Sequence, residues 1–148
     1  MTTRMVPARI ILHCSATPDG RVSDWGAIRR YHKQVNGWRD IGYHFGIELV
    51  GEDYEVLMGR WPDETGAHAA GQNYDSIGVC FVGAFDENPP PAEQWQKGIK
   101  LVAWLCRRFA IPAKNIFGHR EFEPRKTCPG RAFDLERFRA DLRKEMGL

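Results

Sequence analysis

The strongest constraint on the fold is a long amphipathic segment in the second half of the chain. Its apolar side chains recur at i, i+4, i+7, i+11 and i+14, which places them on one face of a helix. They are Trp95, Ile99, Val102, Cys106 and Phe109. This helix begins after Pro89-Pro90-Pro91 and ends before Pro112. A helix with one apolar face must cover another apolar surface, and we expect that surface to be a β-sheet.

Short apolar segments supply the strands of the predicted sheet. They cover residues 10–13, 43–50, 54–58, 76–82 and 115–118. The second and third flank Gly51-Glu52-Asp53, which indicates a β-hairpin, and the fourth is apolar enough to be buried on both faces.

Two further amphipathic segments predict helices on either side of these strands. One covers residues 24–35 behind Ser23 as its N-cap, and the other follows Asp134 and runs to Met146. The element order predicts an α/β fold in one domain, residues 1–148, with a central mixed β-sheet of about five strands flanked by helices.

Charge and hydropathy exclude several classes of protein. The 21 basic and 19 acidic residues give a net charge of +2 and are spread along all 148 residues. A nucleic-acid-binding protein would concentrate its basic residues. The chain has no apolar run near the ~20 residues that span a bilayer, and its first residues lack the apolar stretch of a secretory signal peptide. We therefore expect no nucleic-acid partner, no membrane insertion and synthesis in a cytoplasm.

The four cysteines, Cys14, Cys80, Cys106 and Cys128, are predicted to be free thiols, because a cytoplasmic origin disfavours disulfides. Cys80 and Cys106 lie inside apolar segments, where a thiol packs as a small hydrophobic group. Cys128 differs, because it lies in the loop sequence Thr127-Cys128-Pro129-Gly130 with no apolar pattern around it. This position suggests a chemical role.

A metal site is one such role. His13 ends the first predicted strand, His119 follows the last, and Cys128 comes nine residues later. Two imidazoles and a thiolate suit zinc, and three protein ligands leave a fourth position for water or substrate. A histidine beside an apolar strand is, however, more often a structural hydrogen-bonding residue. Spacing alone leaves both interpretations open.

Five ordered segments resemble one known family. They are residues 11–17 (ILHCSAT), 38–45 (WRDIGYHF), 73–80 (NYDSIGVC), 118–120 (GHR) and 126–130 (KTCPG). Over nearly its whole length the chain resembles the zinc amidases that include the lysozyme of short-tailed phages and the animal peptidoglycan-recognition proteins. The resemblance implies His13, His119 and Cys128 as ligands of Zn²⁺, and Tyr43 and Lys126 as catalytic residues.

Amide hydrolysis needs a nucleophile, an electrophile at the carbonyl and a proton for the departing amine, and zinc can supply the first two. The charged Lys126 cannot accept a proton, so we expect it to stabilise the oxyanion, with Tyr43 orienting the attacking water or assisting proton transfer. The alternative interpretations are that Tyr43 is an aromatic residue of a half-buried strand and that Lys126 is a solvated charge in a loop. We expect His44 to make a structural hydrogen bond and His32 to be an ordinary helix residue.

The resemblance also implies a substrate-binding loop at residues 66–71, in which His68 is expected to contact the substrate. Trp38, Asn73 and Thr127 are further candidates to line the substrate groove. Tryptophan is as often a core residue, and the other two side chains can simply cap turns.

The implied function is hydrolysis of the amide bond between N-acetylmuramic acid and L-alanine in peptidoglycan, as a phage or prophage endolysin. Such an enzyme waits in the host cytoplasm until lysis and then acts on the periplasm and cell wall. One alternative is a catalytically weak peptidoglycan-binding module, which the presence of Cys128 and Lys126 disfavours. Another is a cytosolic amidase that recycles anhydro-muropeptides, which carries aspartate at the position of Cys128.

We expect a monomer whose partner is peptidoglycan, in the form of muramyl peptides. The phage lysozyme of this type also restrains its RNA polymerase, but no feature of this sequence establishes such a partner.

Overall fold

Five strands form one sheet in the computed structural model, which describes residues 4–17 and 24–148. They are β1 (Arg9–Cys14), β2 (Phe45–Val50), β3 (Asp53–Met58), β4 (Ser76–Phe81) and β5 (Ile116–Gly118). Their spatial order is β3-β2-β4-β1-β5. The β2–β3 pair is an antiparallel hairpin, whereas β2–β4, β1–β4 and β1–β5 are parallel. The predicted α/β fold with a mixed sheet of five strands is confirmed.

Three helices accompany the sheet, namely α1 (Trp25–Gln34), α2 (Ala92–Phe109) and α3 (Leu135–Glu145). The side chain of Asp24 caps α1 by accepting a hydrogen bond from the Ala27 amide at 2.7 Å. The predicted cap, Ser23, lies outside the described residues. Asp134 caps α3 as predicted, with its carboxylate 3.0 Å from the Arg137 amide nitrogen. Among the described residues, no helix has the length and apolar character needed to cross a membrane.

The face of the sheet towards α2 and α3 holds the larger core. The predicted apolar stripe of α2 is buried there, apart from the partly buried Phe109. Gly98 lets the helix approach closely, because a Cβ at this position would meet the Phe81 ring at 2.3 Å. The helix therefore covers the sheet as its period predicts. Cys80 and Cys106 are buried, and all four cysteines are free thiols, as expected.

The opposite face of the sheet packs against α1 and carries a smaller apolar cluster around Trp25 and Ile41. Gly46 makes room for the Trp25 ring, which an added Cβ would meet at 2.3 Å. The indole nitrogen of Trp25 donates a hydrogen bond to the Met58 carbonyl at 3.0 Å. These contacts fix α1 beside the first residues of β2.

The start of β2 differs from the prediction, because the strand begins at Phe45 rather than at Tyr43. The carbonyl of Tyr43 accepts a hydrogen bond from the Arg60 amide, and that of Gly42 accepts one from the Ala67 amide, both at 3.0 Å. The backbone before β2 is therefore hydrogen-bonded to residues of two loops. Tyr43 lies at the entrance to the strand rather than within it.

Candidate metal centre

The carboxyl ends of the neighbouring strands β1 and β5 bring two histidines together. Leu12 lies opposite Gly118 in this parallel pair, so His13 and His119, the next residues of each segment, are adjacent. Their ring centroids are 4.6 Å apart. Cys128 joins them from the loop after β5, and one ligand atom of each residue lies within 4.8 Å of the other two. The structure thus assembles the predicted trio into a group that could hold a metal ion.

Backbone contacts hold Cys128 in this position. The amide of Cys14 donates a hydrogen bond to the Cys128 Sγ at 3.3 Å, and the Cys128 carbonyl accepts one from the Arg120 amide at 2.7 Å. The Sγ atom is 3.7 Å from the Nδ1 of His13. The sulfur is therefore directed at the nearer ring nitrogen of the first histidine.

Burial keeps the two imidazoles of the trio neutral. It is the main cause that lowers the pKa of His13 well below its usual value, and the neighbouring His68 lowers it further. Burial also lowers the pKa of His119, with the Lys126 ammonium as the second cause. Neutral imidazole is the form that binds a metal.

The thiol of Cys128 has the opposite requirement, because the thiolate is the metal-binding form. Its hydrogen bond with the Cys14 side chain and then burial raise the pKa of Cys128 above its usual value. Without a cation the sulfur therefore keeps its proton at neutral pH. A metal ion would displace this proton and hold the thiolate.

The second ring nitrogen of His13 is also engaged. Its Nε2 lies 2.8 Å from the Nδ1 of His68, and the Nε2 of His68 lies 3.2 Å from the Ser76 carbonyl oxygen. Only 8% of the His68 surface is exposed. The substrate contact of His68 stays a prediction. The contact that the structure shows is with His13.

The trio lies in a cavity of about 480 Å³, which is large enough for a small-molecule group. Trp38, Tyr43, His68, Lys126 and Thr127 also line it. An adjoining cavity of about 290 Å³ shares Trp38, His68 and Lys126 and adds Asn73. The two cavities thus contain every predicted site residue. The roles of these residues stay predictions.

Tyr43 lies with its ring centroid 5.2 Å from that of His13. Burial, followed by the nearby Cys80 thiol, raises the pKa of Tyr43 well above its usual value of 10. The phenol therefore keeps its proton at neutral pH.

Lys126 is exposed at the rim of the cavity, two residues before Cys128. Its amide donates a hydrogen bond to the Glu123 carbonyl at 2.9 Å, which anchors the backbone of the loop. The side chain can therefore present a positive charge to a substrate bound at the trio.

Asn73 has a structural contact in addition to its place in the adjoining cavity. Its Oδ1 accepts hydrogen bonds from the amides of His68 and Ala69, both at 3.0 Å. The side chain therefore shapes the loop that carries His68, which is the turn-capping role weighed against substrate contact.

Comparisons with known proteins agree with this geometry. The family model of N-acetylmuramoyl-L-alanine amidases, Amidase_2, matches residues 3–131. The chain belongs to this amidase family. It is 38% identical to the endolysin of Escherichia phage T7 over 135 residues, which cover 87% of this chain and 83% of the relative. The endolysin of Enterobacteria phage T3 is 36% identical, with 91% and 87% covered.

Solved structures show the same fold. The N-acetylmuramoyl-L-alanine amidase LysC from Clostridium intestinale aligns with this amidase at a TM-score of 0.82 and 29% identity, covering 93% of this chain and 86% of that one. Wild-type Drosophila PGRP-LB aligns at 0.78 and 29% identity, with 92% and 83% covered. The predicted resemblance to phage amidases and peptidoglycan-recognition proteins is thereby confirmed.

His32, which we expected to be an ordinary helix residue, instead lines the amidase cavity. Its Nδ1 accepts a hydrogen bond from the Gly42 amide at 2.9 Å, and its ring centroid is 4.7 Å from the Trp38 ring. It lines the main cavity beside Tyr43. Its spacing of four residues from Ile28 could have predicted this position, because that spacing directs His32 inward. The neighbouring Tyr31 is exposed.

Of the remaining histidines, His44 serves the structural purpose expected of it. Its Nδ1 accepts a hydrogen bond from the Gly78 amide at 2.9 Å, and its Nε2 lies 2.7 Å from the Glu64 carbonyl oxygen. The prediction of a structural hydrogen bond is confirmed.

Proposed function

We propose that this amidase hydrolyses the bond between the lactyl group of N-acetylmuramic acid and L-alanine in peptidoglycan, with a zinc ion held by His13, His119 and Cys128. One observation carries the proposal. Two imidazoles and a thiol converge within 4.8 Å at the wall of a cavity, in a chain of the N-acetylmuramoyl-L-alanine amidase family.

The donor set supports zinc over other metals. Nitrogen and sulfur donors suit zinc, whereas magnesium and calcium prefer oxygen. Two such ligands of a tetrahedral zinc ion are about 3.5 Å apart. The separation of 3.7 Å between the Cys128 Sγ and the His13 Nδ1 agrees with that spacing. Three protein ligands leave one position for chemistry, as catalytic zinc sites require.

When bound, zinc supplies an electrophile for the scissile carbonyl and an activated water as nucleophile. The protonated phenol of Tyr43 donates a hydrogen bond that orients the water or the carbonyl oxygen. Lys126 places its ammonium beside the oxygen that becomes negative in the transition state. Both side chains act on charge that develops during the reaction, so they affect the rate more than substrate binding.

The substrate groove runs from the main cavity into the adjoining one. We assign Trp38, His68, Asn73 and Thr127 to contact with the muramyl peptide. A related structure supports a ligand of this class. A tyrosine-to-phenylalanine mutant of Drosophila PGRP-LB, which is 28% identical to this chain, was solved in complex with tracheal cytotoxin, a monomeric diaminopimelic acid-type peptidoglycan.

The biological role we propose is that of an endolysin, which degrades the cell wall of the bacterial host at lysis. The two phage relatives at 38% and 36% identity are endolysins, and the present chain covers more than four-fifths of each. Cleavage of peptide from glycan removes the cross-links that give the wall its strength.

The test is to incubate the zinc-loaded protein with purified peptidoglycan and to analyse the released fragments by mass spectrometry. We expect free stem peptides with new N-terminal L-alanine and no new reducing sugar ends. New reducing ends would identify a glycosidase, which needs paired carboxylates instead. Tight wall binding without release would identify a recognition module. The matched controls are chelated protein and chelated protein resupplied with zinc.

A further inference from the structure

The contacts of His68 differ from those expected of a residue that only faces substrate. Its two ring nitrogens are both within hydrogen-bonding distance of protein atoms, with His13 on one side at 2.8 Å and the Ser76 carbonyl on the other at 3.2 Å. The Ser76 hydroxyl also lies 3.3 Å from the same Nε2 atom of His68. The ring thus connects the first predicted metal ligand to the start of β4.

The chemistry of these partners fixes the direction of the hydrogen bonds. A carbonyl oxygen can only accept, so the Nε2 of His68 must carry a proton to bond to Ser76. In a neutral ring the Nδ1 of His68 is then an acceptor, and the Nε2 of His13 must donate to it. This leaves the Nδ1 of His13 without a proton. That nitrogen is the one that lies 3.7 Å from the Cys128 Sγ.

The surrounding backbone holds the His68 ring in this orientation. Two glycines make room for it, because a Cβ at Gly78 would meet the ring at 2.6 Å and one at Gly66 would meet it at 2.8 Å. Gly78 belongs to the buried strand β4, so the ring packs directly on the sheet. A ring packed in this way holds its neighbour in one geometry.

We propose that His68 is a positioning residue that fixes the tautomer and ring orientation in which His13 presents its Nδ1 to the metal. The inference rests on the proposed zinc site. Outer hydrogen-bond partners of metal-binding histidines raise the affinity for the metal, and their removal typically weakens it about 10- to 100-fold. A weakening of this size is expected for His68→Ala.

The experiment measures zinc affinity by competition with a chromophoric chelator, so that it does not depend on hydrolysis. His68→Asn provides the conservative variant, because its amide oxygen can occupy the position of the Nδ1 acceptor. His44→Ala provides a matched loss of a buried ring that bonds to Gly78 and Glu64 rather than to a metal ligand. Circular dichroism of each variant checks the fold.

We expect His68→Ala to bind zinc about 10- to 100-fold more weakly, His68→Asn to recover much of that loss, and His44→Ala to stay near the wild-type affinity. Wild-type affinity in His68→Ala overturns the inference. An equal loss in His44→Ala also overturns it, because the effect is then one of packing.

A measurement on the unmutated protein decides the matter even where a variant fails to fold. Nitrogen NMR of the zinc-loaded protein should show His68 protonated at Nε2 and His13 protonated at Nε2 with a metal-bound Nδ1. A proton on the Nδ1 of His68 overturns the inference while leaving the zinc site intact. A wild-type protein that binds no zinc overturns the proposed function together with this inference, so the two failures are distinguishable.

Discussion

The two faces of the sheet are built from different kinds of side chain. Towards α2 and α3, the rings of Phe81, Trp95, Phe133 and Phe138 pack with centroids 5.0 to 6.0 Å apart. Towards α1, a smaller apolar cluster is joined by the buried rings of His13, His44 and His68, two of which pack against glycines. The first face is stabilised mainly by apolar burial, whereas each polar ring on the second requires a hydrogen bond. Both faces therefore bury apolar side chains, and the second also holds the polar rings of the site.

The largest expected effect comes from removing a metal ligand. His13→Ala, His119→Ala and Cys128→Ser should each lose both zinc and hydrolysis, because each removes one of the three candidate ligands that the described residues bring together. Elemental analysis and peptide release measure the two losses. Cys106→Ser, on the apolar face, is the matched control and should keep its zinc while losing stability. Full activity of Cys128→Ser after exhaustive chelation would rule out the zinc assignment.

A substitution on the apolar face should have the opposite result, a loss of stability without a loss of zinc. Phe138 is fully buried among the aromatic rings, and Phe138→Ala should lower the free energy of unfolding by about 3–5 kcal/mol through lost burial and the resulting cavity. Urea denaturation measures this change. The folded fraction should bind zinc as tightly as the wild type does, and weakened zinc binding in that fraction would show that the two faces are energetically coupled.

A smaller effect is expected from the residues assigned to the transition state. Tyr43→Phe and Lys126→Ala should each lower kcat about 100-fold, since each removes one hydrogen-bonding or charge-stabilising group. Both variants should keep zinc and fold. Tyr31→Phe and Lys114→Ala remove the same groups from exposed positions and serve as controls. Unchanged kcat in both site variants would show that the catalytic side chains are misassigned.

The smallest effect concerns pH. Burial lowers the pKa of His44 from 6.5 to about 4, and the groups that face it are Glu64, Arg60, Arg39 and His68. As the pH falls below 6.5 the unfolded chain takes up a proton before the folded one does. The neutral His44 ring therefore makes its full contribution to the free energy of unfolding above about pH 6.5. This contribution declines towards pH 4, and at pH 5 the free energy of unfolding is lower by about 2 kcal/mol.

His44→Gln removes this titration. Urea denaturation of both proteins at pH 7.5 and pH 5 should show a smaller decline in the variant than in the wild type. Equal declines would show that the stability of the polar face depends on other groups.

Much of the fold follows from the sequence, because periodicity marks each element. The stripe from Trp95 to Phe109 gave α2 its position and its buried face, and Asp134 gave α3 its start. The order of strands does not follow, because pairing joins residues that are distant in the chain and leaves no local pattern. The start of β2 shows the same limit, since the Tyr43 carbonyl bonds to the Arg60 amide and the Gly42 carbonyl to the Ala67 amide, both in distant segments.

The site was predictable where a motif carried it and not elsewhere. His13, His119 and Cys128 were assigned through the resemblance. The β1–β5 register brings the two histidines together, and the loop after β5 adds Cys128. The cavity position of His32 was not predicted, because one polar residue on the inward face of a helix looks like many others. The contact between His13 and His68 was not predicted either, since it depends on the space left by Gly78 on another strand.

The position of Cys128 has a consequence for how the chain holds together. It lies 115 residues from His13 in sequence, yet the two side chains meet. An ion bound to both, and to His119, would act as a removable cross-link that closes a loop containing most of the chain. The sheet has already brought these ends together, so little of the binding free energy is lost to loop closure. The ion would therefore resist separation of the first strand from the segment after β5, and chelation would loosen that junction before it disturbed the aromatic core.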